Sequence, residues 1–145
     1  MTASPITSGS TTTTAWGAGD QIPGTPFRQL VTTAETRGAV SVLAVDMPVG
    51  EHVDEHTHDG EDQINVVISG TVLVTRGDEE LLLTEGAVVF LPRGVPHSLR
   101  NVGTEPARLL DLYTPGGFEQ RFVDAGRHAP TGGARTSRDV RDGHP

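Results

Sequence analysis

Cysteine is absent from the 145 residues, which removes disulfides, thiolate nucleophiles, Cys-ligated zinc and thiol redox chemistry together. Lysine is absent as well, so no lysine Schiff base can form. All eleven basic residues are arginine, set against nineteen acids, and the net charge is −8. That balance opposes nucleic acid and anionic membranes, whose phosphates call for clustered cations. The opening stretch MTASPITSGSTTTTAWGAGD carries no basic region and no apolar run of the length a signal peptide or membrane span needs. These absences predict a chain with no nucleic-acid partner and no membrane partner, placed in the cytoplasm.

What remains is one domain's worth of sequence with a single modest core. Residues 1–24 and 127–145 are rich in Ser, Thr and Gly and offer little to bury, so both are expected to be flexible tails around a domain at 25–126. Inside that domain the short runs AVSVLAV, INVVI, TVLVT, LLLT, AVVFL and ARLLDLY are each bounded by Gly, Pro or Asp. Regular short strands with turn signals between them predict an all-β sandwich or barrel. Ile64, Val66 and Ile68 would share one strand face with Val67 on the other, which predicts cover on both sides, the outer one from a partner subunit or a terminal strand. In TPGGFEQRFVDAG the apolar Phe118, Phe122 and Val123 recur at helical spacing and Gly126 offers a stop, predicting a short C-terminal helix.

The segment HVDEHTHDGEDQ, residues 52–63, gathers histidines among carboxylates. On a strand His56 and His58, two apart, point to one face with Cα atoms roughly 7 Å apart, close enough to converge on one ion. The turn at Asp59-Gly60 brings Gln63 back alongside them. His52 shares the strand parity of His56 but lies about 13 Å along it, too far for a shared ion on a regular strand. Further on, Pro92, Gly94 and Pro96 stiffen the turn before His97, a good setting for a preorganised ligand. The acids Asp54, Glu55, Asp59, Glu61 and Asp62 could draw in cations and raise nearby histidine pKa values, but most of them read as a solvated loop at the barrel mouth.

The spacing of these residues resembles the cupin superfamily. Gly50 is followed after five residues by His56-Thr57-His58, and the first motif closes at Gly70; Gly86, Pro92, Gly94, His97 and Asn101 fall at the spacing of the second. The resemblance spans residues 39–114. It implies a double-stranded β-helix, the cupin jelly-roll barrel, often as a homodimer. It also implies one divalent metal ion, Zn, Ni, Fe or Mn, held by His56, His58, Gln63 and His97. At the last-but-one of these positions the family usually has Glu. Counting back from Gly70 gives Gln63, with Glu61 and Asp62 as carboxylates that a one-residue bulge would bring in instead.

Three imidazoles and a neutral amide leave the charge of a divalent ion uncompensated, so such a site favours an anionic ligand such as a carboxylate, an enolate or hydroxide. The segment Leu109-Leu110-Asp111-Leu112-Tyr113-Thr114-Pro115 is similar to one in uronate-linearising cupins of the KdgF type. By that resemblance Asp111 is the candidate acid or base, with Tyr113 facing the same way. The arginine that follows in that type is replaced by Gly116 and Gly117. The expected function is a metal-dependent enzyme acting on a small anionic or enolisable molecule, the ion serving as Lewis acid in isomerase, cyclase or lyase chemistry. Its rivals are a quercetinase-like or three-histidine dioxygenase using Fe, Mn or Ni, and a non-catalytic barrel that binds a small molecule.

Overall fold

A computed structural model describes residues 16–128. The expected tail segments 1–15 and 129–145 lie outside the described residues. The turn-bounded apolar runs form antiparallel strands: β1 (Asp20–Gln21), β2 (Phe27–Val31), β3 (Ser41–Met47), β4 (His52–His56), β5 (Asp62–Ser69), β6 (Val72–Arg76), β7 (Glu79–Leu83), β8 (Val88–Leu91), β9 (His97–Asn101) and β10 (Ala107–Thr114). They make a six-stranded sheet in the order β1-β2-β3-β10-β5-β8 and a four-stranded sheet in the order β4-β9-β6-β7. The all-β jelly-roll barrel is the fold.

Alternation along the strands sorts the side chains. On β5 the residues Gln63, Asn65 and Val67 are buried while Ile64, Val66 and Ile68 face outward. On β10 the inward set is Ala107, Leu109, Asp111 and Tyr113. The apolar part of the interior comes from Leu43, Val45, Met47, Val67, Val72, Val74, Leu99 and Leu109, each such burial contributing about 1.5–3 kcal/mol. Gly70 lets two strands approach closely: its φ is 96°, and an added Cβ would stand 2.8 Å from Cα of Ala107. Asn101 ties the far end, donating to the carbonyls of Met47 and Glu105 and accepting from the amide of Gly103, each at 2.9 Å.

The expected helix is α1 (Phe118–His128), which runs two residues past the Gly126 stop. It seats Phe118 and Phe122 against Phe27, with ring centroids 6.0 and 5.6 Å away. Its buried Glu119 accepts hydrogen bonds from the amide and hydroxyl of Thr33 at 2.7 and 2.6 Å. Residues 16–24, expected to belong to a tail, are held by the barrel: Asp20 and Gln21 pair with β2, Trp16 lies under Arg108 at 4.9 Å, and Ile22 is 0% exposed. The reason is local: Gln21 Nε2 donates to the carbonyls of Thr25 and Phe27, so the lone apolar residue beside it reaches the core. Among the described residues no helix is long and apolar enough to cross a membrane.

Candidate metal centre

His56 ends β4 and stands opposite His97, the first residue of β9. The register between these strands shifts between Val53 and His56. That bulge reverses the parity expected of a regular strand, so His56 shares the inward side with His97, whereas His52 pairs with exposed Arg100 and meets Asp54 at 3.1 Å. His52 therefore lines a groove on the outer face with Asp54, Thr75, Ser98 and Arg100. His58 is not on the strand with His56 as expected but in the loop after it, where it is buried.

Each of the three rings has an acceptor at Nδ1: the Asp54 carbonyl for His56 at 2.8 Å, the Glu61 carboxylate for His58 at 2.9 Å, and the Val95 carbonyl for His97 at 3.3 Å. A neutral imidazole donating at Nδ1 keeps its lone pair on Nε2. One ligand atom from each of the three lies within 4.8 Å of the others. Burial, reinforced by the charge of His56, lowers His97 to about 4 against a hydrogen bond to Val95 that raises it. His97 is thus neutral at physiological pH, the form a cation needs.

Gln63 lies inside, between Leu91 of β8 and Tyr113 of β10 in register. Its Nε2 donates to Asn65 at 2.7 Å, and its buried Oε1, like Nε2 of His97, meets no hydrogen-bond donor or acceptor among the described residues. Leaving such an atom unsatisfied costs about 1–3 kcal/mol. A divalent ion held by the imidazole nitrogens and the amide oxygen would recover that cost, and the donor set fits Zn, Ni, Fe or Mn.

Neither neighbouring carboxylate takes the Gln63 position. Asp62 turns to Arg93, whose Nε lies 3.2 Å away, and that pairing holds Asp62 below the usual carboxylate range. Glu61, expected in a solvated loop, is buried: Oε1 accepts from His58 and from Arg121 Nη1 at 3.1 Å. A carboxylate behind a ligating histidine fixes its ring and raises its basicity. Arg121 belongs to α1, so the helix reaches the three-histidine cluster through Glu61.

Asp111 and Tyr113 face the same way, as the two-residue spacing requires, and the Tyr113 hydroxyl donates to Asp111 Oδ2 at 3.2 Å. Burial raises Asp111 to about 7 against that hydrogen bond, which lowers it. Burial, followed by the charge of Asp111, holds Tyr113 well above its ordinary value. Tyr113 also packs on His58 at 5.8 Å and stacks on Phe118 at 4.0 Å, and Phe118 in turn meets His58 at 5.1 Å. Asn65, Phe118 and Arg121 were not expected at the site, and Glu61 enters it behind His58 rather than in the position of Gln63. Asn65 had a signal in its spacing, two residues from Gln63 on one strand; Arg121 had none, since it arrives from sixty residues away.

Residues 43–113 match the family model described as Cupin domain. The chain is 38% identical over 98 residues to the xanthan biosynthesis protein XanB of Xanthomonas campestris pv. campestris (strain B100), covering 67% of this chain but 18% of that protein. It therefore spans less than a fifth of the length of that relative. It is 30% identical over 89 residues to the tetracenomycin polyketide synthase protein TcmJ of Streptomyces glaucescens, covering 61% of this chain and 60% of the relative. The structure of KdgF from Halomonas sp. superposes with a TM-score of 0.59 at 20% identity, over 65% of this chain and 81% of that one, a likeness of fold.

Proposed function

The chain belongs to the cupin family, and on that premise we propose that it is a metal-dependent enzyme acting on a small anionic or enolisable molecule. The carrying observation is three converging imidazoles with an amide, not a carboxylate, in the fourth position, beside a buried carboxyl raised to about 7. A bound divalent ion supplies Lewis acidity to a carbonyl or enolate oxygen. His56, His58, His97 and Gln63 would hold it without adding negative charge, so an anionic ligand would be favoured.

Asp111 moves the proton. A carboxyl near 7 is matched to acid and base work at neutral pH. Tyr113 donates to Oδ2 and leaves Oδ1 for the transfer. Phe118, stacked over Tyr113 and against His58, keeps water from this side of the centre. The relationship to a polyketide synthase protein supports a substrate of the enolisable, polyketide-like kind.

The test is incubation of metal-loaded protein with enolisable acids and β-diketones in D2O under nitrogen. Deuterium is expected at the carbon next to the carbonyl, and Asp111→Asn is expected to lose the exchange by about 100-fold or more. Consumption of oxygen by the same mixtures in air would instead assign the site to a dioxygenase; metal-independent binding with no exchange would make it a binding barrel.

We further propose that a second copy covers the outer face of the six-stranded sheet. Ile64, Val66, Leu110 and Leu112 continue there into Ile68, Phe90 (49% exposed) and Val88 (62%), an apolar surface of the kind that marks interfaces. Sedimentation should give a dimer that Phe90→Glu dissociates; a monomeric wild type would refute the interface.

A further inference from the structure

Asn65 stands between Gln63 and Asp111. It is 0% exposed, two residues from Gln63 on β5 and directly opposite Asp111 on β10. One end of its amide lies 2.7 Å from Gln63 Nε2, 3.2 Å from Asp111 Oδ1 and 3.3 Å from the Ile64 carbonyl. An amide has an accepting end and a donating end, so these neighbours allow two arrangements.

In the first, the shared end is Oδ1. Gln63 Nε2 donates to it and Gln63 Oε1 stays available as a ligand. Asn65 Oδ1 and Asp111 Oδ1 are then two acceptors at 3.2 Å, which is favourable only with a proton between them. Asp111 Oδ2 already accepts from Tyr113, so the proton sits on Oδ1 and is donated to Asn65. In the second arrangement the shared end is Nδ2, donating to an ionised Asp111 and to the Ile64 carbonyl. Two NH2 groups cannot face each other at 2.7 Å, so the Gln63 amide must turn over. Its Nε2, which has no lone pair for a cation, then takes the place of Oε1.

We propose that Asn65 is a positioning residue that couples the metal-binding orientation of Gln63 to a proton on Asp111. The inference rests on the metal-centre reading above and adds an order to it: while Gln63 ligates, Asp111 meets a substrate as an acid, and once its proton has left, the amides are free to turn over. Among the described residues no other charge stands directly against Asp111 in this network. Its partner on β3 is Leu43, and the carboxylates of Glu61 and Glu119 act on Tyr113, keeping it protonated and donating.

The test is calorimetric titration of Zn2+ into the metal-free full chain at about pH 7.5, in two buffers of different protonation enthalpy, so that released protons are counted. Wild type is expected to release fewer protons than Asp111→Asn by about half a proton or more, because Asp111 takes one up as Gln63 turns to ligate. The amide introduced by Asp111→Asn donates to Asn65 at every pH, so Zn2+ affinity stays at or above that of wild type. Asn65→Leu is expected to give the Asp111→Asn proton count and to bind Zn2+ about 10–100-fold more weakly. If that variant does not fold, the comparison of wild type with Asp111→Asn decides alone. Equal proton counts in wild type and Asp111→Asn, with Zn2+ bound by both, would overturn the coupling and leave the metal centre standing. Wild-type affinity in a folded Asn65→Leu would do the same. Failure of wild type to bind Zn2+ would overturn both.

Discussion

The two ends of the barrel interior are made by the same strands and do opposite things. Along the inner face, β10 runs from Ala107 and Leu109 to Asp111 and Tyr113; β5, antiparallel to it, has Val67 beside Leu109 but Asn65 and Gln63 beside Asp111 and Tyr113. β3 follows suit, with Met47 and Val45 at one end and Ser41 at the other, and β9 passes from Leu99 to His97 within two residues. One end is an apolar core that holds the sheets together. The other buries imidazoles, amides and a carboxyl at a cost that only partners or a ligand offset. The apolar packing and the proposed chemistry are thus separated along the strand axis by about 7 Å, one step of the two-residue repeat.

Truncating the apolar end should break the fold without touching the chemistry. Leu109→Ala removes a side chain that is 1% exposed and is expected to cost about 2–5 kcal/mol in denaturant unfolding, while the molecules that remain folded keep their metal content. Loss of metal at unchanged stability would show that the two ends are not separable in this way.

The polar end should announce itself in the pH dependence of stability. His97, lowered from 6.5 to about 4, contributes stability that is lost as pH falls through that window, because the unfolded chain binds the proton more readily. Asp111, raised from 3.8 to about 7, acts the other way: its contribution is lost as pH rises, since the unfolded chain ionises first. Between about pH 4 and 6.5 the two slopes oppose each other, so metal-free wild type should show little net dependence from this pair. Asp111→Asn removes one of them, and its stability should climb with pH across that window by up to about 1.4 kcal/mol per unit relative to wild type. Parallel curves for the two proteins would show that Asp111 is ionised in the folded state like any surface carboxylate.

The fold was legible because glycine, proline and histidine spacing marks turns and inward positions whatever the neighbours are. Gly70 shows why: its place is set by the close approach of Ala107, a backbone demand that sequence alone displays. Asp111 and Tyr113 were singled out by the resemblance of their segment to one in KdgF-type cupins, and strand parity put them on one face. Parity failed at His52, where a bulge turns the strand over between Val53 and His56, and bulges leave no reliable mark in a run such as HVDEH. Spacing did not place Glu61 either: it reads as a loop acid or a bulge-delivered ligand until Arg121 and His58 close on it. Ile22 escaped notice for a related reason: a single apolar residue in a Ser- and Gly-rich stretch carries no periodicity, and its burial depends on Gln21 bonding to Phe27.

The most direct measurement is elemental analysis of protein purified without a metal-affinity tag, comparing wild type with His97→Ala and Glu61→Gln, each shown to be folded. Wild type is expected to carry about one divalent ion per chain and His97→Ala none. Glu61→Gln should bind about 10–100-fold more weakly, because His58 loses the carboxylate that fixes its ring. A wild type without bound metal even after reconstitution, or a His97→Ala protein with the wild-type content, would contradict a three-histidine metal centre at the polar end of this barrel.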